Sequence, residues 1–87
     1  MLEIISIKQT KIKLGAWCKS KRQLHNLSQE GLARLLDLSR LTIRKLENGN
    51  NVTLDTVLKV VNHFDMLDLV YKAIDNDISE SQIESLY

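Results

Sequence analysis

The chain has 87 residues, 44% of them hydrophobic, with no proline and three glycines, which fits one small, mainly helical domain burying about 60–65% of its unfolded surface. Its net charge of +1 conceals an asymmetry: residues 1–45 sum to +7 and residues 46–87 to −6, so one half suits a polyanion and the other would be repelled by it. A single cysteine, Cys18, excludes an intramolecular disulfide and a cysteine metal cluster and points to a reducing, cytoplasmic setting, and no apolar run reaches membrane-spanning length.

Residues 1–9, MLEIISIKQ, are too short and wrongly flanked for a signal peptide. Leu2, Ile4, Ile5 and Ile7 alternate loosely, which leaves open a short strand or an extended arm; alone it is not stable. Thr10 can cap a first helix running to about His25. Leu14, Trp17, Cys18 and Leu24 are its inward candidates, with Lys11, Lys13, Lys19 and Lys21 outside. Trp17 and Cys18 read as core fillers, a lone buried cysteine behaving as a small hydrophobe.

The stretch from residue 28 to 49, SQEGLARLLDLSRLTIRKLENG, organises the rest. Ser28, with Glu30 behind it, is a helix N-terminal signal. Leu32, Leu35 and Leu36 follow at three- and four-residue spacing on one face, and Ala33 offers a close approach for a second helix. Asp37-Leu38-Ser39 interrupts the pattern, and Ser39 can cap another helix. That helix carries Ile43 and Leu46 inward and leaves Arg40, Leu41, Arg44 and Lys45 on its other side. Gly49 closes it, because glycine takes the left-handed conformation cheaply.

Asn50-Asn51 form a polar connection, and Thr53 can cap a fourth helix over about 54–64. Leu54, Val57, Leu58, Val61 and Phe64 make an amphipathic stripe, widened by Val60. Past Asp65, Leu67, Val70, Tyr71 and Ile74 have helical spacing while Leu67, Leu69 and Tyr71 alternate as in a strand; Ala73 and the sustained run to Ile74 favour a helix. Ser79 with Gln82 has the form of a capping box and can start a last turn or two through Leu86, unless the end frays. The expected division is an arm over 1–9, a domain over 10–75 built around the stretch from residue 28 to 49, and a tail over 76–87, possessing a short helix or none.

Two short helices joined by a tight turn, the second with a basic outward face, suit a DNA major groove. The stretch resembles the helix-turn-helix of the phage Cro/C1 repressors, the XRE family. Leu27-Ser28-Gln29, Leu32-Ala33, the Leu38-Ser39 turn, Thr42-Ile43 and the Leu46-Glu47-Asn48-Gly49 exit carry the resemblance, which spans about residues 10–74 with the flanking helices. It implies an all-α, compact five-helix domain of the lambda-repressor type with a central helix-turn-helix. It also implies a buried pair between Arg22 and Glu47, bracing the first helix against the third. The run NNVTLDTVLKVVNHFDMLDL is similar in spacing to the antitoxins that partner HipA-type kinase toxins, repressing their own operon while holding the toxin.

Base readers in such motifs come from the start of the second helix, here Arg40, Leu41, Arg44 and Lys45. Arginine matches guanine bidentately and leucine packs on a thymine methyl; Leu41 replaces a residue often polar in the family, and it either reads a methyl or is partly buried. Gln29 is placed to meet a phosphate through backbone N–H groups and its amide. Ser39, Thr42 and Asn48 match positions near the DNA backbone, and Lys19 and Lys21 suit long-range phosphate attraction. For each base taken singly, solubility is the plainer role; it is their grouping on this motif that argues for DNA.

No catalytic constellation is present: His25 and His63 lack a nucleophile or carboxylate at a recognisable spacing, zinc-ligand spacings are missing, and there is no Gly-rich phosphate loop. No cofactor or metal is expected. The expected partners are a double-stranded operator, palindromic and bound by a homodimer associated with the nucleoid, and a kinase-type toxin if the antitoxin resemblance holds. The surplus apolar groups, Ile4, Ile5 and Ile7 in the arm with Leu67, Val70, Tyr71 and Ile74, are expected to form the dimer interface. The rival reading is a protein-interaction module of the same fold that no longer binds DNA; an acidic recognition helix would favour it, and Arg40, Arg44 and Lys45 argue against it.

Overall fold

The computed structural model describes residues 4–85, and the side chains of residues 4–81. Five helices follow one another: α1 (Ile7–Leu24), α2 (Gln29–Leu35), α3 (Arg40–Glu47), α4 (Leu54–His63) and α5 (Leu67–Ser85). No strand occurs among the described residues, so the helical reading of 67–74 holds.

The first helix starts earlier than its pattern suggests. Ser6, not Thr10, is the cap: its hydroxyl accepts from the Gln9 N–H at 3.0 Å, while the Gln9 side chain accepts from the Ser6 N–H at 3.0 Å. This reciprocal box satisfies two N-terminal donors at once, and it draws residues 7–9 of the supposed arm into helix. Thr10 instead donates its hydroxyl to the Ser6 carbonyl at 2.9 Å. Ser28, Ser39 and Thr53 cap α2, α3 and α4 as read, each side chain accepting from the N–H three residues on.

The helix ends share one device. Asn26, Asp37, Gly49 and Asp65 have φ values of 57°, 55°, 76° and 57°, each just past a helix. In each case the next residue's N–H reaches back five residues to a carbonyl: Leu27 to Arg22, Leu38 to Ala33, Asn50 to Lys45, and Met66 to Val61. These are Schellman stops, with Asn or Asp tolerating the left-handed region where glycine is absent. Leu27, Leu38 and Met66 then turn inward, so each stop also anchors the following segment.

The core gathers Cys18 of α1, Leu32 and Ala33 of α2, Ile43 and Leu46 of α3, and Val60 and Val61 of α4, closed by Phe64 and Met66. Four expected core residues lie outside it, Leu58 half-buried and three others exposed. Leu24 is 72% exposed, Leu35 60% and Leu54 73%. The buried line of α1 runs through Leu14, Cys18 and Arg22 in steps of four, and Leu24 falls off it. In α4 the inward face is rotated toward Thr56, Val57, Val60, Val61 and Phe64, leaving Leu54 at the rim. In the seven-residue α2, Leu32, Ala33 and Leu36 suffice to face the core.

The expected helix start at Ser79 is also absent, because Ser79 sits inside the uninterrupted α5. Leu86 lies outside the described residues. Val70 is the last α5 residue packed on the core, and every residue from Tyr71 to Ser81 is exposed. The radius of gyration of 15.5 Å exceeds the roughly 12 Å of a compact chain this long, as a projecting α5 requires.

Candidate nucleic-acid interface

The capping of α2 and α3 sets the geometry of the motif. Ser28 Oγ accepts from Gly31 N–H at 2.9 Å, opening α2. Asp37 then reverses the chain in the left-handed region, with Leu38 N–H bound to the Ala33 carbonyl at 2.8 Å. Ser39 Oγ accepts from Thr42 N–H at 3.1 Å and shares a 2.8 Å hydrogen bond with the Thr42 hydroxyl. The serine is therefore occupied in fixing the first turn of α3, and Thr42 is half-buried behind it.

With Ile43 and Leu46 held in the core, periodicity turns Arg40, Leu41, Arg44, Lys45 and Asn48 outward, and all five are exposed. Leu41 is 56% exposed, which resolves its two readings in favour of an outward side chain. Among the described residues no carboxylate lies within ion-pair distance of Arg40, Arg44 or Lys45. Arg34, Lys59 and Lys72, by contrast, each pair with an acid one helical turn away. The face of α3 is thus cationic without internal neutralisation, the condition for displacing counterions from a polyanion.

Behind this face lies the brace. Arg22 Nε donates to Glu47 Oε2 at 2.6 Å and its Nη2 to Glu47 Oε1 at 2.9 Å, while Nη1 donates to the Leu27 carbonyl at 2.7 Å. The two side chains are 10% and 2% exposed. The Glu47 hydrogen bonds, opposed in part by burial, hold the Arg22 guanidinium above its ordinary pKa. A planar fork on a carboxylate fixes angle as well as distance, so α1 and the end of α3 are locked in register. The pair implied by the family resemblance is present.

The remaining predicted site residues are dispersed. Gln29 stands at the start of α2, but its amide donates to Glu47 Oε1 at 3.1 Å and so joins the brace rather than projecting into solvent. Lys19 is exposed and Lys21 half-buried on α1; two residues apart on a helix, they point to different flanks. Ile5, Ile7, Leu67, Tyr71 and Ile74 are exposed, and Val70 is half-buried against the core.

Two features escaped the sequence reading. Lys11 donates to the Asn51 side chain, tying α1 to the loop after α3, and forty residues of separation leave no local signal of it. Gly15 is buried where α1 crosses the end of α3. Its type alone, a glycine within a helical pattern, was the available clue.

Cys18 and the histidines take no part in the basic face. Burial, followed by the charge of Glu47, pushes the Cys18 thiol from its ordinary 9.0 up to about 11. Folding therefore favours the protonated thiol, so its contribution to stability is complete below pH 9 and is lost as pH rises through about 11. The expected result is a melting temperature that falls more steeply over that window in the wild type than in Cys18→Ala, and a native thiol that resists alkylation at pH 8. Equal slopes and rapid labelling would contradict it. His25 stacks on Phe64 with centroids 5.0 Å apart, and His63 meets the same ring edge-on. Among the described residues no three potential metal ligands gather, and no helix is long and apolar enough to cross a membrane.

The helix-turn-helix family model matches residues 19–72, from the middle of α1 into α5 and more than half of the chain. No curated protein matches it. The stop at Asp37, the capped α3 and its unpaired basic face agree with that match, and the chain belongs to the XRE-type helix-turn-helix family of DNA-binding regulators.

Proposed function

We propose that the protein is a repressor that binds a palindromic operator as a homodimer, with α3 in the major groove. The observation that carries this reading is the exposed, unpaired set Arg40, Arg44 and Lys45 on one helix whose other face is fixed in the core. Arg40 and Arg44 match guanine edges, Leu41 a thymine methyl, and Lys45 a base or phosphate. Asn48, Thr42 and Ser39 stand near the DNA backbone. The N–H groups opening α2 stand there too, with the Gln29 side chain positioning them through Glu47. Lys19 and Lys21 add non-specific attraction. The acidic half is excess charge best kept away from the phosphates.

Arg40→Ala is expected to cost about 1–3 kcal/mol on the cognate operator and to relax preference at one base pair. Lys19→Ala should weaken all sequences alike and flatten the salt dependence. Binding isotherms on cognate and random duplexes separate the two, and equal losses on both DNAs for Arg40→Ala would remove it as a reader. A finer form of the same reading is an autorepressing antitoxin of a HipA-type kinase, working in the cytoplasm. The spacing of residues 50–69 supports it, and a kinase-like reading frame beside this one, its product co-purifying with the chain, is the test.

A further inference from the structure

We propose that α5 of one copy lies in the groove beside α1 of a second copy, each copy reciprocating, so that the dimer is held by two α5-on-α1 contacts. This rests on the homodimer proposed above and names the surfaces that make it. The groove is mainly apolar, lined by Ile4, Ile5, Ile12, Leu14, Ala16 and Trp17 with Gln9, Thr10 and Lys13 among them, and none of the described α5 side chains contributes to it. Ile4, Ile5 and Ile12 are all exposed in the isolated chain.

The unsatisfied counterpart is α5. Leu67, Val70, Tyr71, Ile74 and Ile78 recur at three- and four-residue steps along one face, and all but the half-buried Val70 are exposed. From Tyr71 to Ser81 nothing among the described residues covers the helix. This segment includes Asp75, Asn76, Asp77 and Ser79, all modest helix formers, and an uncovered helix of that length is marginal in water. A covering surface is required.

Charge selects which surface. Alongside its apolar face α5 carries Asp68, Asp75, Asp77 and Glu80, with Lys72 as its one base, paired to Asp68 at 3.7 Å. Two α5 helices laid together would set acid against acid. The α1 sequence, in contrast, contains no acid, and Lys8 and Lys13 flank Ile12 and Ala16 at adjacent helical positions. Neither has an ion-pair partner among the described residues. Apolar row meets apolar row and acids meet lysines, and exchange of the same contact in both directions closes a two-fold dimer. It also neutralises the acidic helix while leaving the face of α3 uncovered.

Sedimentation equilibrium of the full chain with paired charge reversals is the test. Asp75→Lys with Asp77→Lys, and separately Lys8→Glu with Lys13→Glu, should each weaken the dimer by about tenfold or more, since like charges are then opposed. The four substitutions together should restore affinity to within a few fold. All four side chains are exposed, and the melting temperature of each variant verifies its fold. A wild type that stays monomeric at about 50 micromolar would defeat the homodimer itself. A dimer strengthened by the α5 reversals and indifferent to the α1 reversals would overturn only this contact in favour of α5 against α5. Binding to a duplex carrying a single half-site, measured in parallel, reports on DNA contact apart from dimerisation.

Discussion

Glu47→Ala is expected to lower stability by about 3–5 kcal/mol, because it leaves the Arg22 guanidinium buried without a counter-charge. A domain of this size holds only about 5–15 kcal/mol in total, so the variant should be largely unfolded at mild denaturant concentrations. The same substitution removes the acceptor of the Gln29 amide, which bonds to the carboxylate oxygen that also receives Arg22 Nη2. Arg22→Ala should be comparably damaging, since it strands the carboxylate and frees the Leu27 carbonyl. The double substitution should lose less than the sum of the singles, the mark of residues that act as a pair. Arg22→Lys should not rescue, because a single ammonium does not reproduce the bidentate fork. Arg22→Met with Glu47→Leu, apolar and of similar volume, should recover much of the loss. Urea unfolding of the set decides it, and small, additive effects would show that the brace contributes little beyond filling space.

That pair also marks how the site became legible. Spacing alone placed Arg40, Leu41, Arg44 and Lys45 outside and Ile43 and Leu46 inside, because a helix face is a local property and Ser39 announces where α3 begins. The partner of Arg22 lies 25 residues away, and only the family resemblance joined it to Glu47. Gln29 shows the opposite failure. Its position at the start of α2 was readable, but the direction of a flexible amide is set by whichever buried acceptor is near, and here that is Glu47.

For the fold, four helix starts or stops were visible as Ser28, Ser39, Gly49 and Thr53. Those that were missed used the same chemistry in less familiar residues. Asn26-Leu27 and Asp65-Met66 are Schellman stops in which a small polar residue takes the left-handed turn and the next apolar residue plugs the core. Ser6 with Gln9 was an available capping box, obscured by the isoleucines around it that alternate like a strand. Leu24, Leu35 and Leu54 are apolar in type but fall off the buried phase of their helices. The helical phase that buries Cys18 and Arg22 leaves Leu24 outside, and that phase is fixed by where α3 crosses α1.

That crossing makes Gly15 the second position where a large effect is expected. In an open helix, Gly→Ala gains about 1 kcal/mol of propensity. At Gly15 an added Cβ would lie 2.8 Å from the Glu47 carbonyl oxygen and 2.9 Å from its carbon, and closer still to the Leu46 carbonyl. These are backbone atoms at the end of α3, so no rotamer change relieves the clash and the helices must separate. Overpacking of this kind costs about 1–3 kcal/mol and sometimes more; adding the dispersion lost around Cys18 and Leu46, Gly15→Ala should be net destabilising by about 2 kcal/mol. Gly15→Val should be worse, and Gln23→Gly, at an exposed position of the same helix, should lose only the propensity term. Because separation also stretches Arg22 from Glu47, Gly15→Ala combined with Glu47→Ala should cost less than the two singles added. The displacement tilts α3, so operator affinity of Gly15→Ala should fall even at temperatures where it is fully folded, whereas Gln23→Gly should bind as the wild type does. A Gly15→Ala protein that melts at or above the wild-type temperature and binds DNA normally would show that α1 and α3 have room to spare at this crossing.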